Sequence, residues 1–404
     1  MGSAGMAIRA ILKLAALITL SAAAAAPSGR PWEQAYRKGE IVLTADASFG
    51  RGTDWQAMLF DGFQDIAVAP DGSIFVANGH QHTIQKFDPS GRPVATFGRR
   101  GQGPGDLQNP GSPGILDGKL LVVSEYATLQ RISLFDLSGK FVRVLKTEGP
   151  VFDVVPLRGN RIAYLSQRSS LAPGTRLGAG ARSTPAKARV AVMDASGGPE
   201  RVVWKGDITF ENVVLATGGA IGFGDSLKGT PFIQATAEGD LAVGFSAAAR
   251  VEIFSPQGEA LRRFDLDIPA VPVRPDHIEA FRRSILREND SGMLRPLLDA
   301  VAKADFAPLF PEKLPLYRDF LVDGEGNFLF FLWDESFGEG PIRVAAFAPT
   351  GRSIGRFELK PGDFDITIDR RFRKLNFGVD GLIGIAPQRN DPDGSPRLFR
   401  SRFR

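Results

Sequence analysis

Residues 65–97 read DIAVAPDGSIFVANGHQHTIQKFDPSGRPVATF, and this stretch decides the fold. It contains four apolar segments, and two of the connections between them are tight turns, at Pro70–Gly72 and Asp88–Gly91. Asp and Ser bond to nearby backbone, Pro presets φ and Gly tolerates positive φ, so both turns favour chain reversal. The stretch therefore predicts four antiparallel strands in one small sheet.

The same two turns recur along the chain. The turn before the fourth strand has an apolar residue in front and a glycine at its end, and it recurs at 87–91, 135–139, 193–197, 254–258 and 347–351. The turn between the first two strands recurs at 70–72, 116–118, 158–160, 238–240, 324–327 and 379–381. A four-stranded unit repeated in this way is typical of a β-propeller, and six first turns predict six blades.

The last repeat lacks a fourth strand, because the sequence ends soon after Leu398-Phe399-Arg400, where the third strand should lie. An unassigned apolar segment, Ile41–Ala45, lies near the N-terminus and can supply the missing strand. The sequence thus predicts an all-β, six-bladed propeller with four-stranded antiparallel blades, formed by residues 27–404 and closed by the N-terminal strand. Closure removes the open sheet edges that invite aggregation.

The first 26 residues carry Arg9 and Lys13, an apolar run from Leu14 to Leu20, and an alanine-rich stretch before Pro27. This order is typical of a secretory signal peptide, so residues 1–26 are expected to be removed on export to the periplasm or the medium. An uncleaved anchor is the alternative, although the run is shorter than the roughly 20 residues that span a bilayer. The chain has no cysteine, which excludes disulfides and a lipid-modified cysteine.

The segment from Asp65 to Pro110, with Gly103-Pro104-Gly105-Asp106 and Asn109-Pro110, resembles the NHL repeat. The second repeat is similar to it as well, and the others match it mainly in the spacing of their turns. Residues 41–404 thus resemble the exported six-bladed NHL-type propellers of bacteria. The resemblance implies the fold but not one activity, since the family includes binding modules, lyases and hydrolases.

Three long insertions, at 168–189, 207–230 and 268–315, follow the second or fourth strand of a predicted blade. Since these strand ends lie at the same face of a propeller, we expect one face to be decorated, which suits binding or catalysis. The insertion 268–315, between blades four and five, predicts a helical hairpin, either a lid or a packing element. Residues 168–189 contain five basic residues and no acidic one, which predicts a mobile loop that either gathers an anionic ligand or is simply solvated.

Polar and aromatic residues at predicted strand ends on this face are the candidate ligand-binding set: Asn78, Glu125, Tyr126, Arg168, Arg318, Trp333, Asp334 and Glu335. Together they suit a protein, a peptide or a polar small molecule. Glu125 facing Asp334 across the channel is also a candidate acid–base pair. The alternative is that such acids satisfy buried backbone N–H groups or neighbouring arginines.

No residue is assigned a catalytic role, because the serine motif Gly-x-Ser-x-Gly is absent and only three histidines occur. We expect no metal or cofactor, since the histidine pair His80 and His82 has no histidine from another repeat to join it. The prediction is a binding or scaffold module for a protein, peptide or polar ligand, without a nucleic acid partner. The alternatives are a lyase or hydrolase acting in the channel mouth, and attachment to a surface through residues 370–404, which carry nine basic and three acidic residues.

Overall fold

The computed structural model describes the following residues: 31–58, 60, 64–125, 129–172, 174–214, 220–223, 227–288, 298, 301–333, 341–362, 364–366, 375–378, 381–389 and 396–403. These residues form mainly β-strands, with a short helix α1 (Pro31–Tyr36) and a longer helix α2 (Pro275–Glu288). The predicted signal peptide lies outside them. Within the described part of the chain, no helix is both long and apolar enough to cross a membrane.

Three of the sheets are regular antiparallel four-stranded units in which each strand pairs with the next one along the chain. The first sheet contains β2 (Gln64–Val68), β3 (Ile74–Asn78), β4 (Thr83–Phe87) and β5 (Pro93–Phe97). The second contains β6 (Pro110–Leu116), β7 (Leu120–Glu125), β8 (Arg131–Asp136) and β9 (Phe141–Lys146). The third regular sheet contains β15 (Pro231–Ala235), β16 (Leu241–Phe245), β17 (Arg250–Phe254) and β18 (Ala260–Asp265). This is the unit that residues 65–97 predict.

The aspartate of the recurring turn explains why its sequence repeats. Asp136 Oδ1 accepts hydrogen bonds from the backbone N–H groups of Ser138 and Lys140, at 2.9 and 3.0 Å. Asp88 Oδ1 does the same with Ser90 and Arg92, at 2.8 and 3.0 Å. The glycine closes the turn with positive φ, which is 82° at Gly91. A side chain there would be strained for that reason and would also contact the ring of Phe49 at 2.8 Å.

A five-stranded sheet contains β10 (Val151–Leu157), β11 (Arg161–Ser169), β12 (Gly180–Asp194), β13 (Arg201–Val214) and β14 (Ala220–Phe223). Its strands β12 and β13 are the longest among the described residues. β12 and β13 pair along most of their 15 and 14 residues and form a long ribbon. The mobile loop predicted for residues 168–189 is therefore wrong from Gly180 onward. Residues 180–189 are held by backbone pairing with residues 205–214.

The remaining sheet has eight strands, in the order β19-β20-β21-β22-β1-β25-β24-β23. Their bounds are β1 (Glu40–Ala45), β19 (Tyr317–Val322), β20 (Phe328–Leu332), β21 (Ile342–Phe347), β22 (Ser353–Lys360), β23 (Leu375–Gly378), β24 (Gly381–Pro387) and β25 (Pro396–Phe403). Strand β1 joins two groups: Leu43–Ala45 pair antiparallel with Ser401–Phe403, and Glu40–Val42 pair parallel with Glu358–Lys360. The predicted pairing of the N-terminal strand with the last strand is present, whereas the parallel pairing was not predicted.

Buried side chains fill the spaces between consecutive sheets. One cluster contains Ile66 and Phe87 from the first four-stranded sheet together with Ile383, Ile385 and Leu398 from the strands at the end of the chain. The Asn376 side chain of β23 also donates a hydrogen bond of 3.0 Å to the Ile66 carbonyl of β2. The end of the chain thus packs on its beginning, as expected for a β-propeller.

The insertion 268–315 contains helix α2, as predicted for the first half of a helical hairpin. Residues 301–303 are also helical, a one-turn 3₁₀ helix spans Ala307–Leu309, and most of the predicted second helix lies outside the described residues. Phe281 of α2 and Phe306 pack edge to face at 5.6 Å. These rings join Val213 of the ribbon and Trp333, which follows β20, in one buried cluster. We call α2, residues 301–314 and the ribbon end 207–214 the cap.

Arg400 of β25 is the centre of the contact that holds the two chain ends together. It donates hydrogen bonds to Asp46 Oδ2 from Nη2 at 2.6 Å and from Nε at 3.1 Å, and its guanidinium lies 5.1 Å from the Phe49 ring centroid. Its side chain is only 19% exposed, and that of Asp46 is 15% exposed. Arg400 is thus engaged within the fold and is not free for the attachment surface considered for residues 370–404.

Replacement of Arg400 by alanine removes this contact at the closure of the sheets. We expect Arg400→Ala to lower the free energy of unfolding by about 1–3 kcal/mol, because charged hydrogen bonds are lost where solvent screening is incomplete. Urea unfolding measures the change. Arg263→Ala is the matched control, because Arg263 is exposed on β18. Equal stability of the two variants would contradict the role of Arg400 in closure.

Acid sensitivity follows from the recurring turn. The Ser138 side chain and the Lys140 N–H hold the pKa of Asp136 below its usual value, and the Ser196 N–H lowers that of Asp194. Burial opposes ionisation of Asp88, but donors from Ser90 and Arg92 outweigh it and lower its pKa. Each lowered pKa adds stability above the ordinary carboxyl pKa of about 4, and this stability is lost as pH falls through the lowered value.

We therefore expect the free energy of unfolding to decline as pH falls below about 5. The variant Asp88→Asn/Asp136→Asn/Asp194→Asn should be less stable at neutral pH and should show a shallower decline. Chemical unfolding at a series of pH values measures both slopes. Parallel slopes for the variant and the unaltered protein would show that these turns do not set the acid sensitivity.

Candidate functional site

Five residues of the candidate ligand set belong to the described part of the chain. Tyr126, Asp334 and Glu335 lie outside it. Asn78 is the last residue of β3 and is fully buried. Its Oδ1 accepts a hydrogen bond of 3.1 Å from the Gln81 N–H, and so shapes the connection to β4. Asn78 therefore has a structural role, and a contact with a ligand stays a prediction.

Glu125, the last residue of β7, is fully buried and has three partners. Its Oε2 accepts hydrogen bonds from the N–H groups of Gln108 and Asn109, at 2.9 and 3.2 Å. Its Oε1 lies 3.0 Å from Arg131 Nη2, whose side chain is 12% exposed. The carboxylate thus fixes the connection between the first and second sheets, and it does not extend into open solvent as a free general acid or base.

Arg131 extends the same network along that connection. Its Nη1 donates to the Gln102 carbonyl, and its Nη2 donates to the Asp106 carbonyl, both at 2.9 Å. Asp106 Oδ2 accepts from the Gly103 N–H at 3.1 Å, and its Oδ1 bonds Arg99. This is the Gly-Pro-Gly-Asp segment on which the resemblance to the NHL repeat depends, so these residues serve to stabilise a loop.

Aspartates near the start of the first strand of three sheets accept backbone hydrogen bonds. Asp65, Asp153 and Asp319 each accept from the N–H of the next residue, at 3.1, 2.8 and 2.7 Å. Asp65 also accepts from the Ser112 N–H of the neighbouring sheet at 3.0 Å. These contacts agree with the alternative interpretation of the acids, that they satisfy backbone N–H groups of the fold.

Arg318 and Trp333 lie together at the base of the cap. The guanidinium of Arg318 lies 5.0 Å from the Trp333 ring centroid, within the range of a cation–π interaction. Trp333 is only 6% exposed and belongs to the buried cluster that contains Phe281 and Phe306. Trp333 thus packs the cap on the sheet, and its role as a ligand anchor stays a prediction.

Arg168 is the candidate residue that faces solvent. It is exposed near the end of β11 and lines an open groove of about 520 Å³. The groove lies on one face of the five-stranded sheet, and its floor consists of side chains from three neighbouring strands. We call these side chains the ribbon face: Ser166, Arg168, Lys187, Arg189, Lys205 and Asp207.

The strand register places the ribbon face in two rows. In the outer row, Arg168 pairs with Lys187, which pairs with Asp207. In the inner row, Ser166 pairs with Arg189, which pairs with Lys205. Residues directly opposite in antiparallel strands project to the same side, so these side chains share one surface. The surface holds four cations and one carboxylate.

A buried network supports the inner row. Arg189 Nη2 donates to the Tyr164 hydroxyl at 2.7 Å, and Arg189 Nη1 forms an ion pair with Glu200. Tyr164 donates in turn to Glu200. Burial is the main cause of the raised pKa of the Tyr164 hydroxyl, and the hydrogen bond to Glu200 raises that pKa further, so the hydroxyl keeps its proton. This network fixes the position of Arg189 in the groove.

Sequence reasoning missed Lys205 as a member of the site and interpreted Lys187 and Arg189 as parts of a loop. The strand that carries Lys187 and Arg189 is visible in residues 186–192, which read AKARVAV. Alanine alternates with a cation in the first four residues, and apolar residues follow. A period of two is typical of a strand with one solvated face. Lys205 itself carries no local signal, because only the pairing of β12 with β13 brings it beside Arg189.

Within the described residues, no three His, Cys, Asp or Glu side chains lie close enough together to hold a metal ion. His82, one of the two histidines considered for a metal, has φ of 58° and places its Nδ1 against the Gln108 carbonyl. Gln108 is also a donor to Glu125. The histidine is thereby part of the network that stabilises the connection after the first sheet.

Replacement of Glu125 distinguishes a structural carboxylate from a catalytic one. Glu125→Gln leaves the Arg131 charge nearly buried without its counter-ion, so we expect the free energy of unfolding to fall by about 3 kcal/mol. The double variant Glu125→Gln/Arg131→Met should recover part of this loss, because it removes the uncompensated charge. Urea unfolding measures both. Unchanged stability in Glu125→Gln would contradict the structural role.

No protein-family model matches the chain, and no curated protein matches it in sequence. The resemblance to the NHL family therefore stays a prediction.

Among solved structures, a member of the DUF4221 family from Bacteroides vulgatus aligns with a TM-score of 0.48 at 11% identity, covering 91% of this chain and 98% of that one. Virginiamycin B lyase from Staphylococcus aureus gives a TM-score of 0.38 at 8% identity, covering 90% and 99% of the two chains. A gluconolactonase from Xanthomonas campestris gives 0.38 at 11% identity, covering 84% and 86%. These scores are low, and the β-propeller assignment depends on the order and packing of the sheets of this chain.

Proposed function

We propose that the protein is an exported six-bladed propeller that binds another molecule on the face carrying the cap and the ribbon. The blade number is supported by the division of the eight-stranded sheet at β1, which leaves β19–β22 as one unit and β23–β25 with β1 as another. The four other sheets supply one unit each. Export to the periplasm or the medium is supported by the signal-peptide pattern of residues 1–26.

The open groove on the ribbon face is the observation that carries the binding role. It is bordered by charged side chains on rigid, paired strands, and a rigid scaffold lowers the entropy cost of binding. Arg168 and Lys205 are both exposed in it, and among the described residues neither side chain has a hydrogen bond or ion pair. Partner protein, peptide and polar small molecule all remain chemically compatible with this surface.

A lyase or hydrolase is less well supported. Glu125, one member of the acid pair considered for that chemistry, already accepts hydrogen bonds from Gln108, Asn109 and Arg131. Its proposed partner, Asp334, lies outside the described residues. A general acid or base must reach the proton that it transfers, and Glu125 is fully buried.

The test is a screen of peptides and small polar molecules by thermal unfolding, because a ligand that binds the folded state raises the unfolding midpoint. Hydrogen exchange then locates the bound compound, and mass spectrometry checks whether it is chemically changed. We expect protection in segments 168–189, 205–214 and 271–316 and recovery of the compound unaltered. Protection confined to the tight turns at 70–72 and 238–240 would place binding on the opposite face. Consumption of the compound would favour the enzyme.

A further inference from the structure

The ribbon face combines like charges in a way that does not favour folding. Arg168 lies directly opposite Lys187, and Arg189 lies directly opposite Lys205. Like charges at opposed positions of antiparallel strands are destabilising. Lys187 and Arg189 have acidic partners within the fold. Any polar residue with good strand propensity would fit the exposed positions of Arg168 and Lys205, so the stability of the fold does not explain these two cations.

Three acids near the groove pair with only two of the four cations. Asp207 forms an ion pair of 2.7 Å with Lys187. Glu200 and Glu148 both lie against Arg189, Glu148 at 3.5 Å. Arg168 and Lys205 are left as exposed cations without an ion pair among the described residues. They occupy opposite corners of the ribbon face, since Arg168 is in the outer row on β11 and Lys205 is in the inner row on β13.

Further positive charge borders the outer row. The loop that connects β11 to β12 contains Arg176, which is exposed, and Arg182 follows at the start of β12. The guanidinium of Arg182 bonds the carbonyls of Gly178 and Ala179, so it is held close to the backbone of that loop. Residues 168–189 contain no acidic residue to offset these charges. An approaching anion is therefore attracted to this end of the ribbon.

The spacing of the cations identifies the shape of the ligand. Arg168 and Lys205 lie two residues apart along the strands, about 6.7 Å, and two strands apart, about 9.6 Å, so their Cα atoms are separated by about 12 Å. Residues i and i+4 of an extended peptide project to the same side about 13 Å apart. Carboxylates four residues apart thus match these two cations, whereas a compact single anion reaches only one of them.

We propose that the ribbon face binds an acidic peptide segment of a partner in extended conformation, with carboxylates four residues apart opposite Arg168 and Lys205. The inference rests on the proposed binding role and names the ligand class for it. Lys187 and Arg189 lie between these two cations and remain paired with Asp207 and Glu200.

Fluorescence anisotropy with three fluorescein-labelled hexapeptides tests the proposal: TETETE, its neutral form TQTQTQ, and EEETTT, which has the same charge in a block. We expect TETETE to bind most tightly, and its affinity to fall as salt is raised, because exposed charges are screened. Arg168→Gln/Lys205→Gln should weaken TETETE by about tenfold, since two exposed ion pairs are lost. The matched control is Arg263→Gln/Lys119→Gln, which removes the same charge at exposed positions elsewhere.

Unfolding of the same variants separates a binding role from a structural one. Because Arg168→Gln/Lys205→Gln removes both like-charge pairs, its unfolding midpoint should equal or exceed that of the unaltered protein. Equal affinity for EEETTT and TETETE would overturn the spacing argument, and tighter binding of a sulfated oligosaccharide of equal charge would overturn the peptide as occupant. If the acidic peptides fail while another compound protects segments 168–189 and 271–316, this inference falls and the binding role stands. If no compound protects that face, both fall.

Discussion

The architecture depends on strand β1, which carries backbone hydrogen bonds to two strands more than three hundred residues further along the chain. Its first half extends β22 in parallel, and its second half completes the edge of β25. Without it, both strands would present unpaired edges, and the closing sheet would be held to its neighbours only by side-chain contacts, such as the hydrogen bond from Asn376 to the Ile66 carbonyl. Arg400 then fixes the end of β1 through Asp46, so closure has both a backbone and an ionic component. The N-terminal segment also contributes Tyr36, which stacks on Phe357 at 5.1 Å and donates to Asp323 at 2.8 Å.

Buried acids in this protein are used mainly to hold the backbone. A carboxylate removed from water must be compensated, and the compensation found here comes from N–H groups of connections or from an arginine. Glu125 holds the connection between the first two sheets through the N–H groups of Gln108 and Asn109, and Asp65 bonds the Ser112 N–H of the next sheet. These acids lie at the ends of strands, where an active site would also be expected, so strand position alone does not separate the two roles. The hydrogen-bond partners do separate them.

The ribbon and the cap give this propeller one face unlike the other. Within the described residues, the extension of β12 and β13 leaves a β-sheet surface exposed at the groove. Its inner end is fixed by Tyr164, Arg189 and Glu200, and its outer end packs through Val213 on Phe281 and the rest of the cap core. The cations between these supports are held on paired strands, which reduces the freedom that binding would otherwise remove. Repulsion within the ribbon face is the cost of concentrating charge there.

The sequence by itself determined the strand turns and their repeat, because these are encoded locally: Asp136 and Gly139 specify one turn whatever surrounds it. The partner of the last strand followed from the number of strands, since the last repeat lacks a fourth strand. The sequence also determined helix α2, from its apolar spacing. Only the tertiary structure decided that Asp65 bonds the Ser112 N–H of the next sheet, that Trp333 is covered by the cap, and that Lys205 lies beside Arg189. Each of these depends on the register or packing of segments distant in the chain, and no local pattern specifies such contacts. The candidate site was therefore predicted at the level of its face and of Arg168, while its other members emerged when β12 paired with β13.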